Sequence, residues 1–227
     1  LTYLSLTEYH RIIRIEAGGI VTHIAGLGTA VSGPDGVATE TSINGPRGLA
    51  FDPTGTLFFA EHDGHKIRKV FDGGVVTVAG TGVDASTGDF GLAIDAGVMT
   101  PTGLAFDSLG RLLVTERSAH VVRRIDMSTG IITVVAGTRY QGSIYNATVA
   151  VNTNISFPFG IVEWPAGSNG FVFAEYSSGY IRYVNADGGT RVLMGGGASA
   201  FSSGMASNNA FLPEVGCVAR GAYGPPQ

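Results

Sequence analysis

The sequence predicts an all-β fold built from repeated four-stranded units, and three observations support that prediction. Glycine contributes 35 of 227 residues, about twice its ordinary share, which indicates many tight turns. Four stretches align on Gly48, Gly103, Gly160 and Gly216, at spacings of 55, 57 and 56 residues. Each aligned stretch consists of short apolar runs separated by turn sequences, which is typical of short strands.

Each unit divides into four predicted strands, a to d. In the first full unit these strands are residues 49–52, 57–61, 66–70 and 75–79. Turn sequences such as Pro53-Thr54-Gly55 and Asp72-Gly73-Gly74 separate them and favour hairpins. Four strands in a repeat of about 55 residues are typical of a propeller blade followed by a long connector.

The connectors between the units also repeat. A small residue recurs eight positions before the start of each unit, at Ala38, Ala93, Ala150 and Ala206. An apolar residue recurs three positions before it, at Ile43, Val98, Ile155 and Phe211. A fixed phase of small and apolar residues predicts that the connectors pack against the blades.

The motifs of each unit resemble NHL repeats. The pattern Pro-x-Gly-Leu-Ala-Phe-Asp at 46–52 is followed by Gly-x-Leu, an acidic residue, His-x-Ile-Arg-Lys-Val and Val-x-Val-Ala-Gly. The connector 33–39, echoed at 88–93, is similar to the linker of long NHL arrays. The resemblance covers essentially the whole chain and implies an all-β propeller. The chain departs from the family pattern at 61, 116 and 175, where Glu stands in place of the more usual Asp.

The repeat arithmetic predicts a single domain, 1–227, that holds four blades' worth of sequence offset by one strand. A partial blade at 1–26 has strands b to d, with Leu4 to Glu8 aligned on Leu57 to Glu61. Full blades follow at 46–80, 101–137 and 158–196, and a lone strand a at 214–220. Three closures are consistent with this offset: the last strand closes its own ring, it completes a neighbouring subunit, or the chain belongs to a larger, six-bladed propeller. The absence of an initiator Met also indicates a mature chain or an excised piece.

Composition excludes several classes of function. A net charge of −4 argues against a nucleic-acid binder, since that affinity comes mainly from Lys and Arg on phosphates. RNA binding, known among NHL relatives with basic surfaces, is therefore disfavoured. One cysteine rules out a disulfide framework, and no apolar run is long enough for a membrane span. The motifs of serine hydrolases and of phosphate-binding loops are absent, so we predict no catalytic residues and no enzyme.

A ring of acidic residues recurs at the end of strand b, comprising Glu8, Glu61, Glu116 and Glu175. Carboxylates in a ring could bind a divalent cation, and the resemblance would then extend to calcium-dependent lactonase propellers. Alternatively each Glu holds its own turn and an Arg, because Arg68, Arg123 and Arg182 follow at a spacing of seven residues. A feature present in every blade favours architecture, so no metal site is predicted. The same argument gives His10, His65 and His120 a role in a turn, whereas His23 and His62 are expected at the surface.

Two features break the repeat. The connector 138–157 contains two N-glycosylation acceptors, Asn146 and Asn154, which predict an exposed glycan and an extracellular protein. The longer a–b loop at 163–170 carries Trp164, and the same blade contains Tyr176 and Tyr180. These aromatics could contact a partner or pack within the blade.

The sequence therefore predicts a non-catalytic, secreted structural or binding module. It would act through protein partners, glycans or copies of itself, without a cofactor or nucleic acid. The alternative is a metal-dependent hydrolase or lyase that uses the acidic turns.

Overall fold

The regular structure of the chain is almost entirely β. The computed structural model describes residues 1–144 and 147–195. The strands are β1 Thr2–Leu6, β2 Arg11–Ile15, β3 Val21–Ala25, β4 Gly36–Val37, β5 Pro46–Phe51, β6 Leu57–Glu61, β7 Lys66–Phe71, β8 Gly74–Ala79, β9 Pro101–Phe106, β10 Leu112–Glu116, β11 Val121–Ile125, β12 Ile132–Ala136, β13 Pro158–Glu163, β14 Phe171–Glu175, β15 Tyr180–Val184 and β16 Thr190–Met194. Single 3-10 turns lie at Thr7–Tyr9, Ala93–Asp95 and Ala150–Asn152.

The strands form four antiparallel sheets, which we call blades 1 to 4. Blade 1 contains β1–β3, blade 2 contains β5–β8 with the short β4 added at its outer edge, blade 3 contains β9–β12, and blade 4 contains β13–β16. Within a blade, consecutive strands pair through tight turns in chain order. Short loops suffice because antiparallel neighbours need only a hairpin.

The blades are arranged as a four-bladed propeller, which confirms the predicted fold class. The first strands of successive blades pack side by side, β5 against β9 and β9 against β13, and β1 packs against β5. In the full blades, strand a begins at a proline that pairs with the last residue of strand b, for example Pro46 with Glu61 and Pro101 with Glu116. Proline is tolerated there because the first residue of a strand need not donate to the ladder.

Each pair of neighbouring blades encloses its own apolar core, and the connectors contribute to it. Ala38 and Ile43 pack between blades 1 and 2, Ala93 and Val98 pack between blades 2 and 3, and Ala150 and Ile155 pack between blades 3 and 4. All six side chains are buried. The predicted packing of the connectors is therefore confirmed for these three. The fourth repeat positions, Ala206 and Phe211, lie outside the described residues.

The register of the first strand corrects the sequence alignment. Leu6 pairs with Arg11 and Ser5 with Ile12, just as Glu61 pairs with Lys66 and Ala60 with Ile67. Thr2–Leu6 is therefore the equivalent of Leu57–Glu61, and the alignment of Leu4 to Glu8 with that strand was wrong by two residues. Pairing with β2 determines the register, and Glu8 falls in the exposed 3-10 turn beyond the strand.

Two other expectations concern the ends and the membrane. The closing strand predicted at 214–220 lies outside the described residues. Among the helical turns in the described part of the chain, none is long and apolar enough to cross a membrane.

A glycine in strand a sets the distance between blades. A Cβ added at Gly48 would clash with the Thr102 carbonyl oxygen of blade 3, and one added at Gly103 would clash with the Phe159 carbonyl oxygen of blade 4. Neither glycine has a positive φ, so close approach between backbones explains the requirement for glycine here.

We expect Gly48→Ala and Gly103→Ala each to destabilise the protein by about 1–3 kcal/mol, because the added methyl group must push two backbones apart. Urea unfolding measures the loss. Gly91→Ala is the comparison: its Cβ would meet only the Gly88 oxygen, at 3.3 Å, on an exterior connector. An equal loss in all three variants would contradict the assigned contact.

Candidate functional site

The repeated glutamates at the end of strand b are buried and paired with arginine. Glu61, Glu116 and Glu175 are 0%, 0% and 1% exposed. The carboxylates lie 3.6, 3.0 and 2.7 Å from the guanidinium groups of Arg68, Arg123 and Arg182, respectively. These glutamates therefore do not form an exposed acidic face, and the interpretation that each holds an Arg on strand c is confirmed.

Each ion pair also fastens the connector that leads into its blade. The Glu61 carboxylate accepts hydrogen bonds from the Ser32 hydroxyl and the Asn44 backbone N–H, both at 2.8 Å. The Arg68 guanidinium donates to the Pro34 carbonyl oxygen at 2.9 Å and to Asp35 at 3.1 Å. Burial of a charge is costly unless the charge is paired and hydrogen-bonded, and the connector supplies several of the hydrogen bonds that this pair needs.

The same arrangement recurs in blades 3 and 4. Arg123 donates to the carbonyl oxygens of Gly97 and Thr87, at 2.8 and 2.9 Å, and pairs with Asp89. Glu175 accepts from the Ser156 N–H at 3.0 Å. Burial raises the pKa of Glu61 and Glu116, and the neighbouring Arg charges oppose that rise.

Blade 1 replaces the ion pair with two apolar residues. By the corrected register, Leu6 stands where the other blades have Glu, and Ile13 stands where they have Arg. Both members change together, so neither partner's charge is left unpaired at these two positions. Exchange of a whole buried pair for apolar residues is often neutral in stability, whereas loss of one partner is costly.

The repeated histidines link neighbouring blades. The Nδ1 atoms of His10, His65 and His120 accept the backbone N–H groups of Gly45, Thr100 and Phe157, at 3.1, 3.3 and 3.2 Å. Each accepting imidazole belongs to one blade, and each donor precedes the first proline of the next. The predicted structural role of these histidines is thus confirmed, in the form of an interblade clasp.

The aromatic residues of blade 4 lie at two separate places. Trp164 packs edge-on against Tyr183, with ring centroids 5.6 Å apart, and is 45% exposed. Tyr176 follows strand b, is 56% exposed and lies beneath the guanidinium of Arg117, at 5.4 Å. Tyr180 is half-buried at the start of β15. Trp164 is therefore partly used in packing within the blade, and it does not share a surface with Tyr176.

Asn154 lies in a less exposed setting than its sequence motif suggested. Its side chain is half-buried, and its Oδ1 accepts a hydrogen bond from the Thr138 hydroxyl at 2.5 Å. Ile155 and Ser156, the other two residues of the motif, are buried. The connector around Asn154 is packed rather than exposed, because Ile155 belongs to the core between blades 3 and 4. Asn146 lies outside the described residues.

Three residues that the sequence did not group together, Arg47, His62 and Arg117, lie near the start of strand a in blades 2 and 3. His62 was expected at the surface, but it is only 9% exposed. Burial lowers its pKa, and the positive charges of Arg47 and Arg117 lower it further. Within 1–144 and 147–195, no group of three His, Cys, Asp or Glu side chains could hold a metal ion.

The sequence comparisons leave the family of the chain open. No protein-family profile matches it. Over 98 residues it is 35% identical to Protein SUPPRESSOR OF QUENCHING 1, chloroplastic, of Arabidopsis thaliana. That similarity covers 42% of this chain and 9% of the plant protein.

The structural comparisons identify the fold. A Bacteroides thetaiotaomicron protein of unknown function superposes with a TM-score of 0.60 at 19% identity, over 82% of this chain and 43% of that one. Virginiamycin B lyase from Staphylococcus aureus gives 0.51 at 18%, over 84% and 50%. A chain of the nidogen/laminin complex gives 0.54 at 16%, over 86% and 64%. The fold is a β-propeller. The chain spans about half the length of the propellers it resembles.

We expect removal of one partner of the buried ion pair in blade 3 to be far more costly than removal of both. Glu116→Leu leaves the buried Arg123 with Asp89 as its remaining acidic partner and should cost about 1–3 kcal/mol of unfolding free energy. The double variant Glu116→Leu/Arg123→Ile copies the pair found in blade 1 and should recover part of that loss. A double-mutant cycle by urea unfolding measures the coupling, and simple additivity of the two single variants would contradict it.

We expect the unfolding free energy to decrease as the pH is lowered from about 7.5 to about 5.5. Burial lowers the pKa of His62 and His120 in the folded state, so the unfolded chain, with a histidine pKa of about 6.5, binds protons first. The neutral imidazoles contribute their full stabilisation at pH values above the unfolded-state pKa. That stabilisation is lost as the pH falls through the lower pKa of the folded state.

Urea unfolding at successive pH values tests this expectation. His120→Asn is the control, since Asn tolerates the left-handed backbone at this position, where φ is 54°, and retains an acceptor for the Phe157 N–H. The variant should show a shallower pH dependence than the parent chain. If the unfolding free energy of the variant depends on pH as steeply as that of the parent chain, His120 does not contribute to the pH dependence.

Proposed function

We propose that this chain forms an NHL-type propeller that serves as a non-catalytic, extracellular binding module and acts through protein contacts. The NHL assignment is supported by the repeat itself, because its motif positions have structural roles in each full blade. In all three full blades the proline begins strand a and the Glu and Arg form the buried pair. In blades 2 and 3 the glycine of strand a also contacts the next blade.

The observation that carries the proposal of protein contacts is an apolar face on blade 4. Phe58, Ala60 and Ile67 of blade 2 are buried in the core shared with blade 3. Val172, Ala174 and Ile181 occupy the same strand positions in blade 4, and their side chains are half-exposed. Among the described residues, no blade packs on this face as blade 3 packs on blade 2.

The glycine of strand a indicates what this face is shaped to receive. Gly48 and Gly103 each contact a carbonyl oxygen of the following strand a, whereas no described atom lies within 4 Å of the Cβ position at Gly160. The segment Val215-Gly216-Cys217-Val218-Ala219 has the strand-a sequence pattern. We propose that the strand predicted at 214–220 occupies this face.

The alternative is a metal-dependent hydrolase or lyase that uses the glutamates as ligands. It is not favoured, because three of those carboxylates are already bonded to arginine and to connector N–H and hydroxyl groups. Glu8, the fourth, lies on an exposed turn outside that register.

Cys217 provides a direct test of the proposed strand. It aligns with Leu49 and Leu104, which are 4% and 6% exposed. We expect the Cys217 thiol to be protected from alkylation in the native chain and to react at the rate of a free thiol in urea. We also expect Gly160→Ala to destabilise the protein as Gly103→Ala does, and to expose the thiol. Rapid labelling of the parent chain, with no effect of Gly160→Ala, would overturn the proposal.

Native mass spectrometry identifies the source of the strand. A monomer with a protected thiol indicates closure within the chain, whereas protection that is lost on dilution, together with oligomers, indicates a second copy. Both results put the same segment on blade 4, but only the oligomer supports protein contacts through this face, and closure within the chain would contradict them.

The extracellular assignment is tested by secretion from eukaryotic cells followed by enzymatic removal of N-glycans. We expect one glycan, which Asn146→Gln abolishes and Asn154→Gln leaves in place, because the Asn154 motif is packed into the connector. A secreted chain whose mass does not change on deglycosylation would contradict the prediction of a glycoprotein.

A further inference from the structure

The blades differ most clearly at the position immediately after the buried glutamate. Blades 2, 3 and 4 have His62, Arg117 and Tyr176 there. Their backbone N–H groups donate to equivalent carbonyl oxygens just before strand a, at 3.0, 3.1 and 3.1 Å, so the three residues occupy matching places in successive blades. The backbone contacts are kept although the side chains differ, so the scaffold does not determine these side chains. They are therefore candidates for a binding role that is not repeated in every blade.

Two arginines near this position, Arg47 and Arg117, have no acidic partner among the described residues. Neither Arg47 nor Arg117 forms a salt bridge with any residue in the described ranges. Arg47 stands on strand a of blade 2, next to the residue that pairs with Glu61. The Arg117 guanidinium lies over the rings of Phe157 and Tyr176, at 5.3 and 5.4 Å, which fixes its plane.

Two nitrogen atoms at this place, Nε of Arg47 and Nε2 of His62, are buried without a hydrogen-bond partner among residues 1–144 and 147–195. His62 is held through its other ring nitrogen, which lies 2.7 Å from the Asp63 carboxylate. Both arginine charges act on the His62 ring and disfavour its protonation. An unsatisfied polar atom in a protein interior is costly, so an anion bound beside Arg47 and Arg117 would offset both the unpaired charge and the missing hydrogen bonds.

We propose that Arg47, His62 and Arg117 form a binding site for an oxyanion, the carboxylate or phosphate group of a ligand, with Tyr176 as one wall. Arginine suits this role because its planar fork presents parallel N–H donors to two oxygen atoms. The stacking of Arg117 on aromatic rings preorganises that fork. None of these four residues belongs to the apolar face of blade 4.

The first experiment titrates the chain with inorganic phosphate and, separately, with acetate, at constant ionic strength, and follows backbone amide shifts by NMR. We expect saturable shifts at His62 and Arg117. Saturation by phosphate alone assigns the site to phosphate groups, and saturation by acetate alone assigns it to carboxylates. Shifts that grow linearly with both anions, as for surface screening, would overturn the proposal.

Matched variants show whether these side chains are responsible. Arg47→Gln and Arg117→Gln should each weaken binding by about tenfold, the cost of one charge-assisted hydrogen bond. Arg191→Gln is the control, because Arg191 also stacks on a tyrosine, Tyr183 at 5.3 Å, without a salt bridge in the described part of the chain. Equal affinity in the control and both test variants would overturn the assignment.

The pH dependence of binding keeps the proposal testable if a variant fails to fold. A bound anion offsets the charges of Arg47 and Arg117 and favours protonation of His62, while the facing Asp63 carboxylate does so in both states. The affinity of the parent chain for acetate, or for sulfate in place of phosphate because phosphate itself titrates in this range, should therefore rise as the pH falls from about 7.5 to about 6. His62→Gln should abolish that rise, and a pH-independent affinity in the parent chain would remove His62 from the site.

Discussion

The buried glutamate–arginine pair is the interaction on which the rest of each full blade depends. It joins strands b and c, and it holds the long connector whose alanine and apolar residue complete the core. Without the connector, the arginine would lack its carbonyl acceptors and the core between blades would lose part of its lining. One charged pair thus couples the ladder of hydrogen bonds within a blade to the packing between blades.

Blade 1 shows that the two positions of the pair must be occupied by compatible residues, which need not be charged. Leu6 and Ile13 replace both partners together, and the strands around them keep the register of the other blades. A carboxylate without the guanidinium, or the reverse, would leave a buried charge unpaired. The sequence therefore varies the pair as a unit, while the glycine contacts and histidine clasps set how the blades meet.

Much of the fold could be predicted because each structural position occurs in several copies of the repeat. The phase of Ala38 and Ile43 revealed a packed connector, and the spacing of seven residues revealed Glu61 with Arg68. The error at Glu8 arose because acidic character was matched without the strand register, which only the pairing with β2 determines. His10 carried that information, since it lies four residues after Leu6, as His65 lies after Glu61.

The cluster around Arg47 was missed for a different reason. Its members come from blades 2, 3 and 4 and from different strand positions, and only the curvature of the propeller brings them together. The sequence signal was the loss of the repeat at one position, where His62, Arg117 and Tyr176 have unrelated side chains. Symmetry identifies the scaffold, and departures from symmetry identify candidate sites.

The histidine clasps have a consequence for how the molecule responds to heat or force. Each clasp joins a blade only to the next one, as do the glycine contacts and the apolar cores, so the array behaves as units coupled in series. Opening of one blade would remove the clasp, the glycine contact and the shared core at its boundary together. Amide hydrogens on the two sides of that boundary should therefore lose protection as a unit rather than strand by strand.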